Sequence, residues 1–275
     1  MNQWITCHHP AKDACLRLFC FPYAGGGAQV FHAWRRLLPP TIEVCPVQLP
    51  GRGSRIGEPA FTDLSPLIEV LGKALLPWLD RPFAFFGYSM GAVLAFELTR
   101  WLRRAGRSQP VHLIVAAHGA PHLPRTCAPI SRLSRQEFLE GVLRYNGIAA
   151  ELLAEEELME LMLPTLRADF SLLESYSYYS EPPLACSITA FGGWQDASVG
   201  FDQLQAWEAE TATSFFLHMF PGDHFFLDSQ QPLLLKVLQR QMIFSINRQP
   251  FTFLSNHNGL SGDNQFPIGM VHSLI

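Results

Sequence analysis

Pro82-Phe83-Ala84-Phe85-Phe86-Gly87-Tyr88-Ser89-Met90-Gly91-Ala92-Val93-Leu94-Ala95-Phe96 is the stretch that decides the fold. Its first five residues form a short apolar run that reads as a buried strand. From Ala92 to Leu102 the apolar pattern is helical. Between them lies G-x-S-x-G, and strand, G-x-S-x-G, helix is the context of a nucleophile elbow. The turn is tight enough to require Gly87 and Gly91 to lack side chains, so that backbone segments can approach. Ser89 is then pushed outward at the carboxyl edge of a sheet. The following helix aims its N-terminus, with free N–H groups and the positive end of its dipole, at any oxyanion forming there.

The surrounding chain has the same rhythm. Leu16-Arg17-Leu18-Phe19-Cys20-Phe21 reads as a strand, ended by Pro22-Tyr23-Ala24-Gly25-Gly26-Gly27, and Ala28 to Leu38 as a helix. Ile42 to Gln48 is a second strand, followed by the Leu49-Pro50-Gly51-Arg52-Gly53-Ser54-Arg55 loop and a helix from an Asp63 cap to about Leu79. Val111–Ala117, Cys186–Gly192 and Thr213–Met219 are further strands, with helices over Phe201–Glu210 and on to about Ile246. Strands alternating with helices imply an α/β fold with a mostly parallel sheet, right-handed crossovers and active groups at the carboxyl ends of the strands.

Residues 125–182 break the rhythm. Ser134–Tyr145 and Glu155–Tyr179 read as helices with no strand between, and Leu152, Leu153, Leu158, Leu161, Met162, Leu163 and Leu166 recur on their faces. They are expected to form a helical lid, with Met162, Leu163 and Leu166 lining a substrate chamber. The domain is expected to span 1–247, and the polar, glycine-containing tail, 248–275, to be irregular.

The chain has 275 residues, of which 48% are hydrophobic and only 16% charged, with a net charge of −4. Low charge implies a large core or an apolar cavity, and no basic run suggests a nucleic-acid partner. The N-terminus lacks a signal-peptide pattern, and no apolar run approaches the roughly 18 residues of a membrane helix. The six cysteines show no C-x-x-C spacing, which fits reduced thiols and a cytoplasmic setting.

A serine hydroxyl needs a base, and the base needs an orienting carboxylate. Among ten histidines, His224 sits directly after the last strand, on the carboxyl edge. His118 and His122 share that edge, but in α/β-hydrolases the order along the chain is serine, acid, histidine. Asp196, just after a strand, lies between Ser89 and His224; no equally placed acid precedes His118. Asp223, adjacent to the base, reads as a loop or cap residue. The backbone N–H groups of Met90 and of Ala24, in the glycine-rich turn, are the expected oxyanion donors. That turn lacks G-x-G-x-x-G and G-K-[ST], which disfavours a phosphate-binding reading.

The motifs Phe21–Gly27, Leu49–Arg52, Gly87–Gly91, Leu163–Phe170 and Gly222–Phe225 together make the chain, from about residue 16 to 245, resemble the type II thioesterases that accompany nonribosomal peptide and polyketide synthases. The resemblance implies an α/β-hydrolase fold and hydrolysis of acyl or aminoacyl thioesters. The substrate would hang on the phosphopantetheine arm of an acyl or peptidyl carrier-protein domain. No cofactor or metal is implied beyond that arm, nor any nucleic-acid or membrane partner, and the expected state is a monomer. Gly53 and Ser54 dilute the Arg52 loop pattern, and the tail departs from the family's usual end. A free esterase or lipase, a terminating cyclase and a non-catalytic interaction protein are the alternatives; the intact Ser89, Asp196 and His224 disfavour the last.

Overall fold

The computed structural model describes residues 3–6, 14–125, 128–143 and 156–247. The tail beyond Asn247, Leu152, Leu153, Cys7 and Cys127 lie outside these residues.

Six strands, β1 (Leu16–Phe21), β2 (Ile42–Pro46), β3 (Phe83–Tyr88), β4 (His112–Ala116), β5 (Ser187–Gly193) and β6 (Phe215–Phe220), form one sheet in the order β2-β1-β3-β4-β5-β6. Every neighbouring pair is parallel. Both faces are covered, which is why β1 and β3 read as continuous apolar runs rather than alternating ones. Their residues nonetheless divide by parity. Phe19, Phe21, Phe83 and Phe85 pack into one core beneath α2 (Leu64–Leu75) and α3 (Met90–Arg104). Leu18, Cys20, Ala84, Phe86 and Tyr88 pack into the other, with Phe31 and Trp34 and with Leu234, Leu235 and Leu238. Burying each such side chain is worth about 1.5–3 kcal/mol, so these two cores carry the fold. The buried Arg17 and Glu43 are register partners on β1 and β2 and pair at 2.7 Å.

The helical readings need several corrections. Ala28–Leu38 is a 3-10 turn (Ala28–Phe31) followed by a single helical turn, α1 (Trp34–Leu37). α2 stops at Leu75 and passes into a 3-10 turn, Leu76–Trp78. Asp63 occupies its N-cap position but makes no side-chain cap; its carboxylate accepts instead from the Thr62 hydroxyl. In the insertion, α4 covers Arg135–Leu143, and the long helix, α5, covers Glu156–Ser175 and ends four residues before Tyr179. Phe201–Glu210 splits into α6 (Phe201–Gln205) and a 3-10 turn, Ala206–Glu210. The last helix is divided into α7 (Phe226–Ser229) and α8 (Gln231–Asn247). Strand ends shift by one or two residues.

Between β1 and β3 the strand order reverses. In parallel sheets the crevice at the carboxyl ends of such a pair is where ligands bind. The turn after β1 carries Ala24, and the turn after β3 carries Ser89.

Candidate active site

Ser89 joins β3 to α3 with φ 52° and ψ −112°, a conformation L side chains rarely adopt. Such a residue costs of order 1–3 kcal/mol, and the surroundings must hold it. They do so through the Ser89 N–H, which donates to the Ala116 carbonyl at 2.7 Å, and the Ser89 carbonyl, which accepts from Ala92 N–H at 2.9 Å. A Cβ on Gly87 would lie 2.1 Å from the Gly91 carbonyl oxygen, and one on Gly91 would lie 2.1 Å from that of Phe21. Those two approaches are the reason for both glycines.

His224 follows β6 and is buried. Its Nε2 lies 3.1 Å from Ser89 Oγ, and its Nδ1 lies 2.8 Å from Asp196 Oδ2. Asp196 sits in the turn after β5, its side chain 1% exposed. Its other oxygen accepts from the Ser198 hydroxyl at 2.6 Å and from the N–H groups of Ser198 and Val199 at 2.8 and 3.2 Å. Burial pushes the Asp196 carboxyl up, but the hydrogen bond and charge of His224 and the Ser198 donors outweigh it, so it stays below the ordinary carboxylate range.

The structure thus brings Ser89, His224 and Asp196 together and sends the rivals elsewhere. His122 Nδ1 pairs with Glu210 at 2.7 Å, and His118 Nδ1 lies 2.7 Å from the Gly119 carbonyl. Burial lowers His118 to about 4. Asp223 accepts from Phe225 N–H at 2.9 Å, a local loop bond. Met90 is the first residue of α3, so its N–H has no acceptor within the helix. Ala24 lies in the turn across from it and shares an apolar cluster with Phe138, Val142, Leu163 and Leu166. Leu166 is buried and Leu163 half-buried; Met162 is also half-buried but is not part of that cluster, and Leu161 is 56% exposed.

Three features escaped the reading of the sequence. Ser198 Oγ lies within 3.1 Å of His224 Nδ1 as well as on Asp196. The Tyr88 hydroxyl donates to the His224 carbonyl at 2.6 Å and accepts from Leu227 N–H at 3.3 Å, tying the residue before the serine to the backbone of the histidine. Arg52 and Asp169, each inside a stretch that carried the family resemblance, form a buried bidentate pair, at 2.6 and 2.7 Å. Only the last left a signal, since Arg52 and Asp169 each sit within a motif that carried the resemblance.

A hydroxyl, an imidazole and a carboxylate in hydrogen-bonded sequence, at the carboxyl edge of this sheet and in that chain order, place the molecule among the α/β-hydrolases. Its relatives narrow the class. The thioesterase domain family matches residues 16–242, and the chain belongs to that family, a thioesterase and so a hydrolase. Gramicidin S biosynthesis protein GrsT of Aneurinibacillus migulanus is 40% identical, over 88% of this chain and 94% of its own. Linear gramicidin dehydrogenase LgrE of Brevibacillus parabrevis is 46% identical, over 86% and 92%. The structure of BorB, a type II thioesterase from the borrelidin biosynthetic cluster, matches with a TM-score of 0.79 at 35% identity, covering 87% of this chain and 97% of that one. In the turn after β1 the Gly25 N–H donates to the Asp169 carboxylate at 2.7 Å.

Proposed function

We propose that this chain is a type II thioesterase that hydrolyses acyl or aminoacyl thioesters from the phosphopantetheine arm of carrier-protein domains, in editing or release on a nonribosomal peptide or polyketide synthase. The hydrogen-bonded run from Asp196 through His224 to Ser89 carries this reading. His224 Nε2 takes the Ser89 proton as Oγ attacks the thioester carbonyl. Asp196 holds the Nδ1 proton, and with it the tautomer that leaves Nε2 free to accept, and it stabilises the imidazolium. The N–H groups of Met90 and Ala24 receive the oxyanion. His224 then protonates the leaving thiolate, and a water, deprotonated by the same imidazole, releases the acid.

Leu163 and Leu166, clustered with Ala24, are suited to the wall of the acyl site, and half-buried Met162 to its approach. GrsT and BorB, both tied by name to biosynthetic assembly, support the carrier-bound substrate over a free ester. Among the described residues the buried thiols of Cys20 and Cys186 form no disulfide, which favours a cytoplasmic enzyme, and we infer a monomer. No helix of the described residues is long and apolar enough to cross a membrane.

The test compares hydrolysis of an acyl group on a holo-carrier protein with that of the same group on a simple ester. A kcat/KM at least about tenfold higher on the carrier is expected, a difference of about 1.4 kcal/mol in transition-state stabilisation. Equal values would instead make the chain a free esterase.

A further inference from the structure

One face of α5 is seated on the two glycine turns of the active-site edge. The Thr165 hydroxyl donates to the Gly51 carbonyl at 2.6 Å, in the turn after β2. Leu166 lies over the turn after β1, so close that a Cβ on Gly25 would fall 2.9 Å from its Cδ1. One helical turn on, Asp169 is 2% exposed and accepts from the Gly25 N–H at 2.7 Å and from both terminal nitrogens of Arg52. Arg52 is also buried; it donates to the Gly26 carbonyl at 3.3 Å and to the Pro50 carbonyl at 3.2 Å. Two peptide units of this turn, Ala24–Gly25 and Gly26–Gly27, are thereby held, the first by Asp169 and the second by its partner. Gly25 has φ +76°, a conformation glycine alone adopts freely, so this backbone would otherwise have a wide choice.

A carboxylate buried on an N–H and a guanidinium is more than a strut between helix and core. The peptide linking Ala24 to Gly25 is oriented through the Gly25 N–H, and the Ala24 N–H lies one peptide earlier in the same turn. An oxyanion donor works only when its N–H is aimed beforehand at the position the charge will occupy. We propose that Asp169 is a positioning residue for acyl transfer: held by Arg52, its carboxylate fixes the Gly25 N–H and so aims the Ala24 N–H at the oxyanion. The active turn is then competent only while α5 is seated upon it, and the helical insertion takes part in catalysis as well as forming a wall. This rests on the reading of Ala24 as a donor and Ser89 as nucleophile.

The experiment uses the full chain, with Arg52→Met and Asp169→Leu made together. Replacing a buried ion pair by apolar residues of similar volume is often neutral for stability, so the helix can remain seated while the Gly25 N–H loses its acceptor. Expected is a kcat on an acyl-carrier protein reduced about 10- to 100-fold, the range in which a misaimed oxyanion donor falls short of a deleted one, with KM changed less than threefold and the thermal midpoint within a few degrees of wild type. Phosphonylation of Ser89 by a fluorophosphonate, which also places an oxygen in the oxyanion site, is expected to slow in step. Wild-type kcat in a folded double variant would overturn the positioning role. If that variant fails to fold, Asp169→Ala is read instead: it takes the acceptor from the Gly25 N–H, and an unchanged kcat in that folded variant overturns the inference equally. Failure of the wild-type protein itself to be labelled at Ser89 would instead overturn the underlying assignment of the nucleophile.

Discussion

Asp196 and Asp223 both neighbour His224, one through space and the other along the chain, yet it is Asp196 that meets the imidazole. Asp196 Oδ2 faces His224 Nδ1, whereas Asp223 caps the N–H of Phe225. An amide at the orienting position holds the wrong tautomer, worth about 10⁴-fold in kcat in a serine protease. Asp196→Asn is therefore expected to lose about that much, and Asp223→Asn no more than a few-fold; steady-state kinetics on one acyl-carrier protein compares them. Ser89→Ala is expected to lose nearly all turnover, on the order of 10⁶-fold by analogy with another triad hydrolase, with an unchanged circular dichroism spectrum. Retention of a tenth of wild-type hydrolysis would remove Ser89 from the mechanism.

At the scale of elements, the strand-turn-helix unit around Ser89 depends on backbone contact. α3 presses against the end of β1 at Gly91 and folds back over β3 at Gly87, at distances no Cβ tolerates. Gly87→Ala or Gly91→Ala is expected to destabilise the protein at or beyond the upper end of the ~1–3 kcal/mol range for overpacking. Urea unfolding would read this as a lower midpoint at constant slope. α5 has a different dependence: its seat on the turns rests on side chains, Thr165, Leu166 and Asp169, so it is open to being loosened without breaking the sheet.

Over the whole molecule, the sheet is tied to its last helix by a histidine with no part in the reaction. His112, on β4, is fully buried, with Nδ1 2.6 Å from the Ser245 hydroxyl of α8 and Nε2 2.7 Å from the Thr189 hydroxyl of β5. Burial lowers it from 6.5 to about 3. Between those values the unfolded chain binds a proton that the native state refuses, so stability rises with pH in that window and is flat above it for this group. One such proton corresponds to about 1.4 kcal/mol per pH unit. Native stability from urea titrations is therefore expected to fall as pH drops from about 6.5 toward 4. In His112→Gln the slope should be lower by about one proton, whatever the variant's stability at pH 7. An identical slope in both proteins would mean that the buried imidazole is not the proton-refusing group.

Sequence alone determined what local pattern and chain order can encode. Continuous apolar runs marked β1 and β3 because both faces of a parallel sheet are covered. Two glycines flanking a serine between strand and helix marked the elbow because no other residue fits there. The order Ser89, Asp196, His224, each just past a strand, singled out three residues that the structure brings within hydrogen-bonding distance. The rest required the folded chain. Arg52 and Asp169 are 117 positions apart, and nothing local in either stretch reveals that a helix of the insertion brings them together on the Gly25 N–H. The Tyr88 hydroxyl reaches the backbone of His224, and Ser198 reaches both acid and base, through side-chain directions that no periodicity expresses. Helix ends also went astray at Leu75 and Gln205, where the chain passes into 3-10 turns, because helix and 3-10 turn differ by little in free energy and packing against the sheet decides between them.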